Sequence, residues 1–151
     1  MTDHKHLGEW LAGKRFMVVE DVDTSRMLVS GLLRSMGATS VVTAINGEDA
    51  LDKIGKKGVP DIILCDWVMP GMDGLSLLSV VKPLHPEVKF VMLTAQTDAE
   101  HVRQAAYLKV DGYIAKPFSR QTLADALGKL KDQCLVAPRR MTSDSSSARQ
   151  V

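Results

Sequence analysis

An apolar run of the chain ends abruptly in a carboxylate at Asp66, and a loop rich in proline and glycine follows it. Residues 61–66 read Asp-Ile-Ile-Leu-Cys-Asp, and residues 69–74 read Met-Pro-Gly-Met-Asp-Gly. This pattern is typical of a strand that is buried on both faces and presents one acid at its carboxyl end. Since the ligands of open parallel sheets bind at that edge, we expect Asp66 to be the reactive group.

Three other predicted strands also end in polar residues. Glu20 and Asp21 follow the first apolar run, Thr94 follows the fourth, and Lys116 follows the fifth. Because the carboxyl ends of parallel strands lie at the same edge of a sheet, these side chains are expected to surround Asp66.

This set of groups is suited to the transfer of a phosphoryl group to an aspartate. Three neighbouring carboxylates repel one another unless a cation neutralises them, and Mg²⁺, which prefers oxygen ligands and keeps several waters, is the expected ion. Lys116 adds a mobile positive charge and Thr94 adds a hydroxyl donor. With these groups in place, the carboxylate of Asp66 is the expected nucleophile.

The elements that must position these residues alternate between strand and helix five times, with short connections. Such alternation predicts an α/β fold with a doubly wound, five-stranded parallel sheet and helices on both faces, because right-handed crossovers place them there. The strands are predicted at residues 15–20, 40–44, 61–66, 88–93 and 110–115. The helices are predicted to begin near Asp23, Asn46, Asp73, Thr97 and Ser119.

Apolar spacing along the predicted helices indicates which of their faces are buried. The third helix is expected to end before Pro83. The residues expected to face the core are Met27, Leu28, Leu32 and Met36 in the first helix, and Val102, Ala105 and Ala106 in the fourth.

The chain is predicted to consist of an N-terminal extension (residues 1–13), a folded domain (14–135) and a tail (136–151). The extension has apolar residues, including Trp10, at helix-compatible spacing, so we expect a short helix that packs on the edge of the domain. From Val136 the sequence turns to proline, arginine and serine and loses its periodicity. The tail is therefore expected to be disordered.

Composition and charge restrict the class of protein. Nineteen basic against eighteen acidic residues give a net charge of +1, which indicates neither a nucleic acid nor a membrane as a partner. Cys65 and Cys134 match no metal or redox spacing, and unpaired cysteines suggest a reducing compartment. No apolar run is long enough to span a bilayer, and the N-terminus lacks the apolar region of a signal peptide. We therefore expect a cytoplasmic protein.

The motifs at the predicted strand ends occur in the order and at the spacing of a known family. From about Lys14 to Gln133 the sequence resembles the receiver domains of two-component response regulators, whose fold is flavodoxin-like, and most of all their single-domain, CheY-like members. The matching motifs are Val18-Val19-Glu20-Asp21, Cys65-Asp66-Trp67-Val68-Met69-Pro70-Gly71-Met72-Asp73-Gly74, Met92-Leu93-Thr94-Ala95 and Tyr113-Ile114-Ala115-Lys116-Pro117-Phe118.

The resemblance implies that Asp66 accepts a phosphoryl group from a phosphohistidine, which a sensor histidine kinase or a His-containing phosphotransfer protein supplies. It also implies a magnesium site that is formed by Glu20, Asp21, Asp66 and the backbone carbonyl of Val68. By the same resemblance the chain is a signalling domain that catalyses only its own phosphotransfer and dephosphorylation, not an enzyme with a separate substrate, and it is a monomer.

The resemblance further implies how phosphorylation is reported to a partner. Lys116, whose bond to Pro117 is expected to be cis, contacts the phosphoryl group. Thr94 moves towards the phosphate, and Tyr113 follows it from an outward to an inward position. This movement would change the surface of the fourth predicted helix, the fifth strand and the fifth helix, where a separate downstream protein binds.

Four positions depart from the usual pattern of the family. Glu20 stands where Asp is commoner, and this difference is expected to alter only fine metal geometry. Val68 and Gln96 stand where family members tune hydrolysis of the phosphoaspartate. Lys109 stands where a helix-ending glycine is usual, so that turn is expected to be strained by about 1 kcal/mol.

Two other functions compete with this one. Asp21-Val22-Asp23 is similar to the nucleophile motif of haloacid dehalogenase-type phosphatases, but the helix-forming run from Thr24 leaves no room for the turn and flap of that family. A phosphorylation-independent interaction module usually lacks the acceptor, an acid or the lysine, and none of these is missing here. Among outputs, control of a flagellar motor in chemotaxis, a phosphorelay and regulation of a kinase all stay open.

Overall fold

The computed structural model describes residues 6–95 and 99–144, except for the side chains of Ala105 and of residues 134–144. After an initial helix, five strands and five further helices alternate along this part of the chain. The strands are β1 (Arg15–Val19), β2 (Ser40–Ala44), β3 (Ile62–Asp66), β4 (Lys89–Thr94) and β5 (Gly112–Ala115). The helices are α1 (Leu7–Ala12), α2 (Asp23–Met36), α3 (Gly47–Lys57), α4 (Gly74–Leu84), α5 (Ala99–Tyr107) and α6 (Arg120–Asp144).

The strands form one parallel sheet in the order β2-β1-β3-β4-β5. β3 occupies the centre, and all five of its residues are buried. This doubly wound, flavodoxin-like arrangement confirms the predicted fold class, and it brings the carboxyl ends of all five strands to one edge of the domain.

Side chains that alternate along each strand build a separate core on each face of the sheet. In β1, Phe16 and Val18 belong to the first core, whereas Met17 and Val19 belong to the second. The first core packs against α1, α2 and α6, and the second packs against α3 and α4. Burial of apolar side chains on both faces explains why the central strands are continuously apolar.

Two of the predicted helix starts are confirmed by their capping hydrogen bonds. The side chain of Asn46 accepts a bond of 2.8 Å from the amide of Asp49, and that of Asp73 accepts one of 2.8 Å from Ser76. Each bond satisfies an amide that has no partner within the helix. At α2 the N-cap is Val22, which provides no side-chain cap, and the predicted cap residue Asp23 lies within the first turn.

The predicted buried face of α2 is wrong in part. Val29 and Leu33 are the buried residues of this helix, whereas Met27 is 71% and Leu28 is 59% exposed. Apolar residues surround most of the helix, so their spacing permits more than one buried face, and packing against β1 and the other helices selects one of them.

Helices α4 and α5 also differ from the prediction. α4 continues through Pro83 to Leu84. A proline in the last turn removes only one helical hydrogen bond, and the next bond is still made, from the amide of His85 to the carbonyl of Val81 at 2.7 Å. In α5, Val102 is 42% exposed and Ala106 is also exposed. The capping box predicted at Thr97 lies outside the described residues.

Helix α1 extends the first core at the amino edge of the sheet. Leu7 and Leu11 are buried within it, and Trp10 is half-buried against it. Gly37, with φ of 127°, ends α2 directly against Gly8, where a Cβ atom would lie 2.7 Å from the carbonyl oxygen of Gly8. The short helix expected in the N-terminal extension therefore forms and packs on the domain.

Helix α6 is longer than its apolar periodicity predicted. Leu123, Leu127 and Leu130 are buried as expected, but the helix continues to Asp144. Residues 136–144 are thus helical and not disordered as predicted. The helix continues through Pro138, a residue that is unfavourable inside a helix. The rest of the predicted tail, residues 145–151, lies outside the described residues. Neither α6 nor any other helix in the described ranges has the length and apolar character that a membrane crossing requires.

The turn between α5 and β5 contains a strained residue. Lys109 has φ of 65°, and it is the single residue other than glycine with a positive φ among those described. The next part of the turn is fixed, since the carboxylate of Asp111 accepts bonds from Lys82 at 2.7 Å and from the amide of Phe90 at 2.8 Å. The chain therefore has to turn at Lys109 in order to bring Asp111 to this fixed position.

Replacing Lys109 with glycine should remove this strain. We expect Lys109→Gly to raise the free energy of unfolding by about 0.5–1 kcal/mol, because glycine adopts positive φ without a steric penalty. Urea denaturation followed by circular dichroism measures the change. Lys109→Ala removes the same long side chain but keeps Cβ, so it should bring no such gain; an equal gain in both variants would show that the strain is not the cause.

Candidate functional site

The register of the sheet places Glu20 and Asp66 side by side at its carboxyl edge. Val19 pairs with Cys65 in the parallel ladder between β1 and β3, and Glu20 and Asp66 are the next residues of each chain segment. Asp21 follows Glu20, and carboxylate oxygens of all three residues lie within 4.8 Å of one another. The predicted acidic cluster therefore forms.

Glu20 is only 2% exposed, and hydrogen bonds hold it in a fixed orientation. Its Oε2 accepts a bond of 3.1 Å from the amide of Val22, and its Oε1 accepts one of 3.0 Å from Lys116. Its backbone carbonyl accepts a bond of 2.8 Å from the guanidinium of Arg26, which also pairs with Asp23. A buried carboxylate needs such partners because burial without them is costly.

Lys116 bridges two of the three acids. Its Nζ lies 3.0 Å from Oε1 of Glu20 and 3.3 Å from Oδ1 of Asp66. A backbone hydrogen bond supports this position, since the amide of Lys116 bonds to the carbonyl of Thr94 at 2.9 Å. The peptide bond between Lys116 and Pro117 is cis, as the resemblance implied.

The protonation of Lys116 follows from these contacts. Burial by itself would lower its pKa, but the hydrogen bond to Glu20 and the charge of Asp66 outweigh that effect and raise the pKa above its ordinary value. The ammonium is therefore charged at neutral pH. Since a raised pKa stabilises the folded state below the unfolded pKa, this contribution is lost only in strongly alkaline solution.

The site carries more negative than positive charge. Three carboxylates, those of Glu20, Asp21 and Asp66, face one ammonium group. Oxygen donors at this spacing, with Asp21 half-buried and open to solvent, suit a hard divalent cation that keeps some of its waters. The edge can therefore attract a divalent cation.

The other predicted site residues lie around this cluster at different depths. Leu93 pairs with Asp66 in the ladder between β3 and β4, so Thr94, which is 1% exposed, stands at the same edge on the neighbouring strand. Val68 is 58% exposed beside the opening. Tyr113 is half-buried on β5, opposite Met92.

The loop after Asp66 is fixed to the start of α4. The amide of Gly74 bonds to the carbonyl of Trp67 at 2.8 Å, and a Cβ atom at position 74 would collide with the backbone of Asp66 and Trp67. Glycine is thus required here because the helix and the strand end approach each other closely.

Two residues near the site were not found from the sequence. Arg26 supports the backbone of Glu20 through the bond described above, and its distance of six residues along the chain gives a weak signal at most. His101 packs on Trp67 with ring centroids 4.8 Å apart, and only the tertiary structure brings these two residues together. The predicted role of Gln96 lies outside the described residues.

Cys65 has no chemical role in the site despite its position before Asp66. It is fully buried in the second core, and its thiol donates to the carbonyl of Asp66 at 3.1 Å. Burial, together with the nearby charge of Asp66, raises the pKa of the thiol well above its ordinary value. A neutral buried thiol is a poor nucleophile and a poor metal ligand.

Sequence comparison places this geometry among known proteins. The family model of the response regulator receiver domain matches residues 16–128. A chemotaxis protein CheY-3 from Vibrio cholerae is 38% identical over 119 residues, which cover 77% of this chain and 90% of that protein. A chemotaxis protein CheY from Pseudomonas aeruginosa is 33% identical over 118 residues, covering 77% and 94%.

Comparison of the structure with solved structures finds the same fold in related proteins. Chemotaxis protein CheY4 of Vibrio cholerae matches with a TM-score of 0.70 and 30% identity, covering 76% of this chain and 96% of that one. The BeF₃-activated receiver domain of DrrB, a protein of Thermotoga maritima, matches with a TM-score of 0.70 and 25% identity, covering 79% and 97%.

Crowding of negative charge at the site should be measurable as a loss of stability. We expect Asp21→Asn, in the presence of a chelator, to raise the free energy of unfolding by about 1 kcal/mol, because it removes one of three repelling charges. Adding MgCl₂ should raise the melting temperature of the wild type more than that of the variant. Thermal denaturation followed by circular dichroism measures both effects.

A matched control for Asp21→Asn is Asp52→Asn. Asp52 pairs with Lys56 at 3.1 Å on the exposed surface of α3, so its replacement changes the net charge equally without touching the cluster. This control should respond to MgCl₂ as the wild type does. A decrease in stability of Asp21→Asn without metal would show that the carboxylates do not repel one another in the folded protein.

Proposed function

The chain belongs to the response regulator receiver domain family, and from this membership we propose that Asp66 accepts a phosphoryl group from the phosphohistidine of a sensor histidine kinase or phosphotransfer protein. Receivers of this CheY type act in two-component signalling and are signalling domains. The observation that carries the proposal for this chain is the juxtaposition of Asp66 with Glu20, Asp21 and Lys116 within one hydrogen-bonded cluster.

The donor set of the cluster fits Mg²⁺. Glu20, Asp21, Asp66 and the backbone carbonyl of Val68 are the groups that would hold the ion, and all of them offer oxygen. When bound, Mg²⁺ supplies positive charge for the phosphoryl oxygens. Asp21 remains accessible from solvent, whereas Glu20 is already engaged by Lys116 and Val22, so Glu20 contributes chiefly as a buried negative charge.

The reaction is an in-line displacement at phosphorus. A carboxylate oxygen of Asp66 attacks the phosphorus, the bond between phosphorus and the donor imidazole nitrogen breaks, and the electron pair returns to that imidazole. Lys116, which lies 3.3 Å from Asp66, stabilises the charge on the transferred phosphoryl group. The hydroxyl of Thr94 donates a hydrogen bond to the same group once the phosphate is present.

The phosphorylated site would then alter a surface distant from Asp66. We assign this role to Thr94 and Tyr113, whose movement changes the surface formed by α5, β5 and α6. This surface is suited to a protein partner, since α5 exposes apolar side chains that include Val102 (42% exposed) and Tyr107 (84% exposed). Two of the similar proteins are chemotaxis proteins, so control of a flagellar motor is the first output to test, and a phosphorelay and regulation of a kinase are the alternatives.

The direct test is chemical labelling of Asp66. Incubation with acetyl phosphate and MgCl₂ should add one phosphoryl group, which intact-mass spectrometry detects and borohydride reduction followed by peptide mapping assigns to Asp66. Asp66→Asn should abolish the label, whereas Asp52→Asn should keep it. Lys116→Met should slow labelling by about 10-fold or more, because the charge next to Asp66 is lost.

An independent signal comes from Trp67, which is buried next to Asp66. In a Trp10→Phe background its fluorescence should change on addition of MgCl₂ and again on addition of beryllofluoride, and the second change should be absent in Asp66→Asn. A folded protein that takes no label and shows no fluorescence response would contradict the proposal and favour a phosphorylation-independent interaction module.

A further inference from the structure

Trp67 connects the phosphoacceptor to helix α5 through an aromatic contact. The indole is 4% exposed, and its ring meets that of His101 edge to face, with centroids 4.8 Å apart and an interplanar angle of 76°. Tyr113 of β5 lies on the same indole at 6.3 Å, also at 76°. Edge-to-face packing at these distances is a favourable and directional contact between aromatic rings.

His101 is the main anchor that α5 offers to this part of the domain among its described side chains. Glu100, Val102, Arg103, Gln104, Ala106 and Tyr107 are all exposed, and His101 is half-buried. Leu108, directly after the helix, packs against the second core. The amino-terminal half of α5 is therefore positioned through the imidazole of His101, while its carboxyl end is held separately.

The other end of this contact lies between two groups of the proposed phosphorylation site. Trp67 follows the acceptor Asp66 and precedes Val68, whose carbonyl is a proposed metal ligand. The backbone carbonyl of Trp67 accepts a hydrogen bond of 2.8 Å from the amide of Gly74. Because a close-packed ring cannot shift without displacing its neighbours, a change at Asp66 or Val68 is transmitted to the rings that touch the indole.

We propose that His101 is a positioning residue that couples the state of Asp66 to the orientation of α5 through its ring contact with Trp67. This coupling rests on the proposed function, since it assumes that Asp66 is phosphorylated. It adds to that function a route from Trp67 to α5. His101 is not needed for the chemistry at Asp66 in this scheme. It determines how much the orientation of α5 changes when Asp66 is phosphorylated.

Hydrogen exchange of the backbone amides of α5 tests this coupling. In the wild type, beryllofluoride with MgCl₂ should change exchange rates in a peptide covering α5 by about threefold or more. His101→Ala should lose this response while Asp66 is still labelled by acetyl phosphate at the wild-type rate. His101→Phe keeps a ring that can meet the indole edge to face, so it should restore the response.

Controls separate the ring contact from a general effect on helix stability. Gln104→Ala truncates another exposed side chain on the same helix and should respond to beryllofluoride as the wild type does. If His101→Ala fails to fold, His101→Leu replaces it, because leucine fills space but has no ring edge. Circular dichroism verifies that each variant is folded.

The outcomes distinguish this inference from the function on which it rests. Absence of label on wild-type Asp66 would overturn the proposed function, and the coupling with it. Normal labelling with an unchanged response of α5 in His101→Ala would overturn the coupling alone. Normal labelling with no response of α5 in the wild type would do the same, and so would a failure of His101→Phe to restore the response.

Discussion

Three carboxylates and one ammonium group share the carboxyl edge of the sheet, and the charge imbalance among them governs the site. Glu20 and Lys116 are bonded at 3.0 Å, and Lys116 also reaches Asp66 at 3.3 Å. This arrangement raises the pKa of Lys116 and keeps it charged. One ammonium does not balance three carboxylates, so the edge favours a further cation. The parallel register of β1 and β3 favours this crowding, because it places Glu20 and Asp66 at adjacent positions beyond the pair Val19 and Cys65.

In the proposed coupling, the packing next to the acids also connects them to the partner surface. Asp66 continues into Trp67, whose backbone is bound to the start of α4 and whose ring is enclosed by His101 and Tyr113. The two rings belong to α5 and β5, two of the three elements of the proposed partner surface. The proposed route requires that these contacts be close-packed, since a void beside the indole would absorb small displacements. By contrast, most described side chains of α5 are exposed, so few contacts oppose a change in the position of this helix.

Much of the fold could be predicted from the sequence, and the failures have physical causes. Strand β2 and the caps at Asn46 and Asp73 were predicted correctly because hydrophobic runs and capping residues act locally. The buried face of α2 was not, since Met27 and Leu28 are as apolar as the residues that are buried and only the packing partners distinguish them. The helix beyond residue 136 was missed because continuation of an existing helix does not require an apolar stripe.

The sequence by itself determined which groups end the strands, and hence which chemistry is available. Four apolar runs are each followed by polar residues that could do chemistry: Glu20 and Asp21, Asp66, Thr94, and Lys116. These residues identify the site, because parallel strands bring their carboxyl ends to one edge of the sheet. Tertiary structure alone decided that Lys116 bonds to Glu20 as well as to Asp66, and that His101 contacts Trp67. These contacts join residues far apart in the chain, and they depend on distances of a few ångströms that no local pattern of residues encodes.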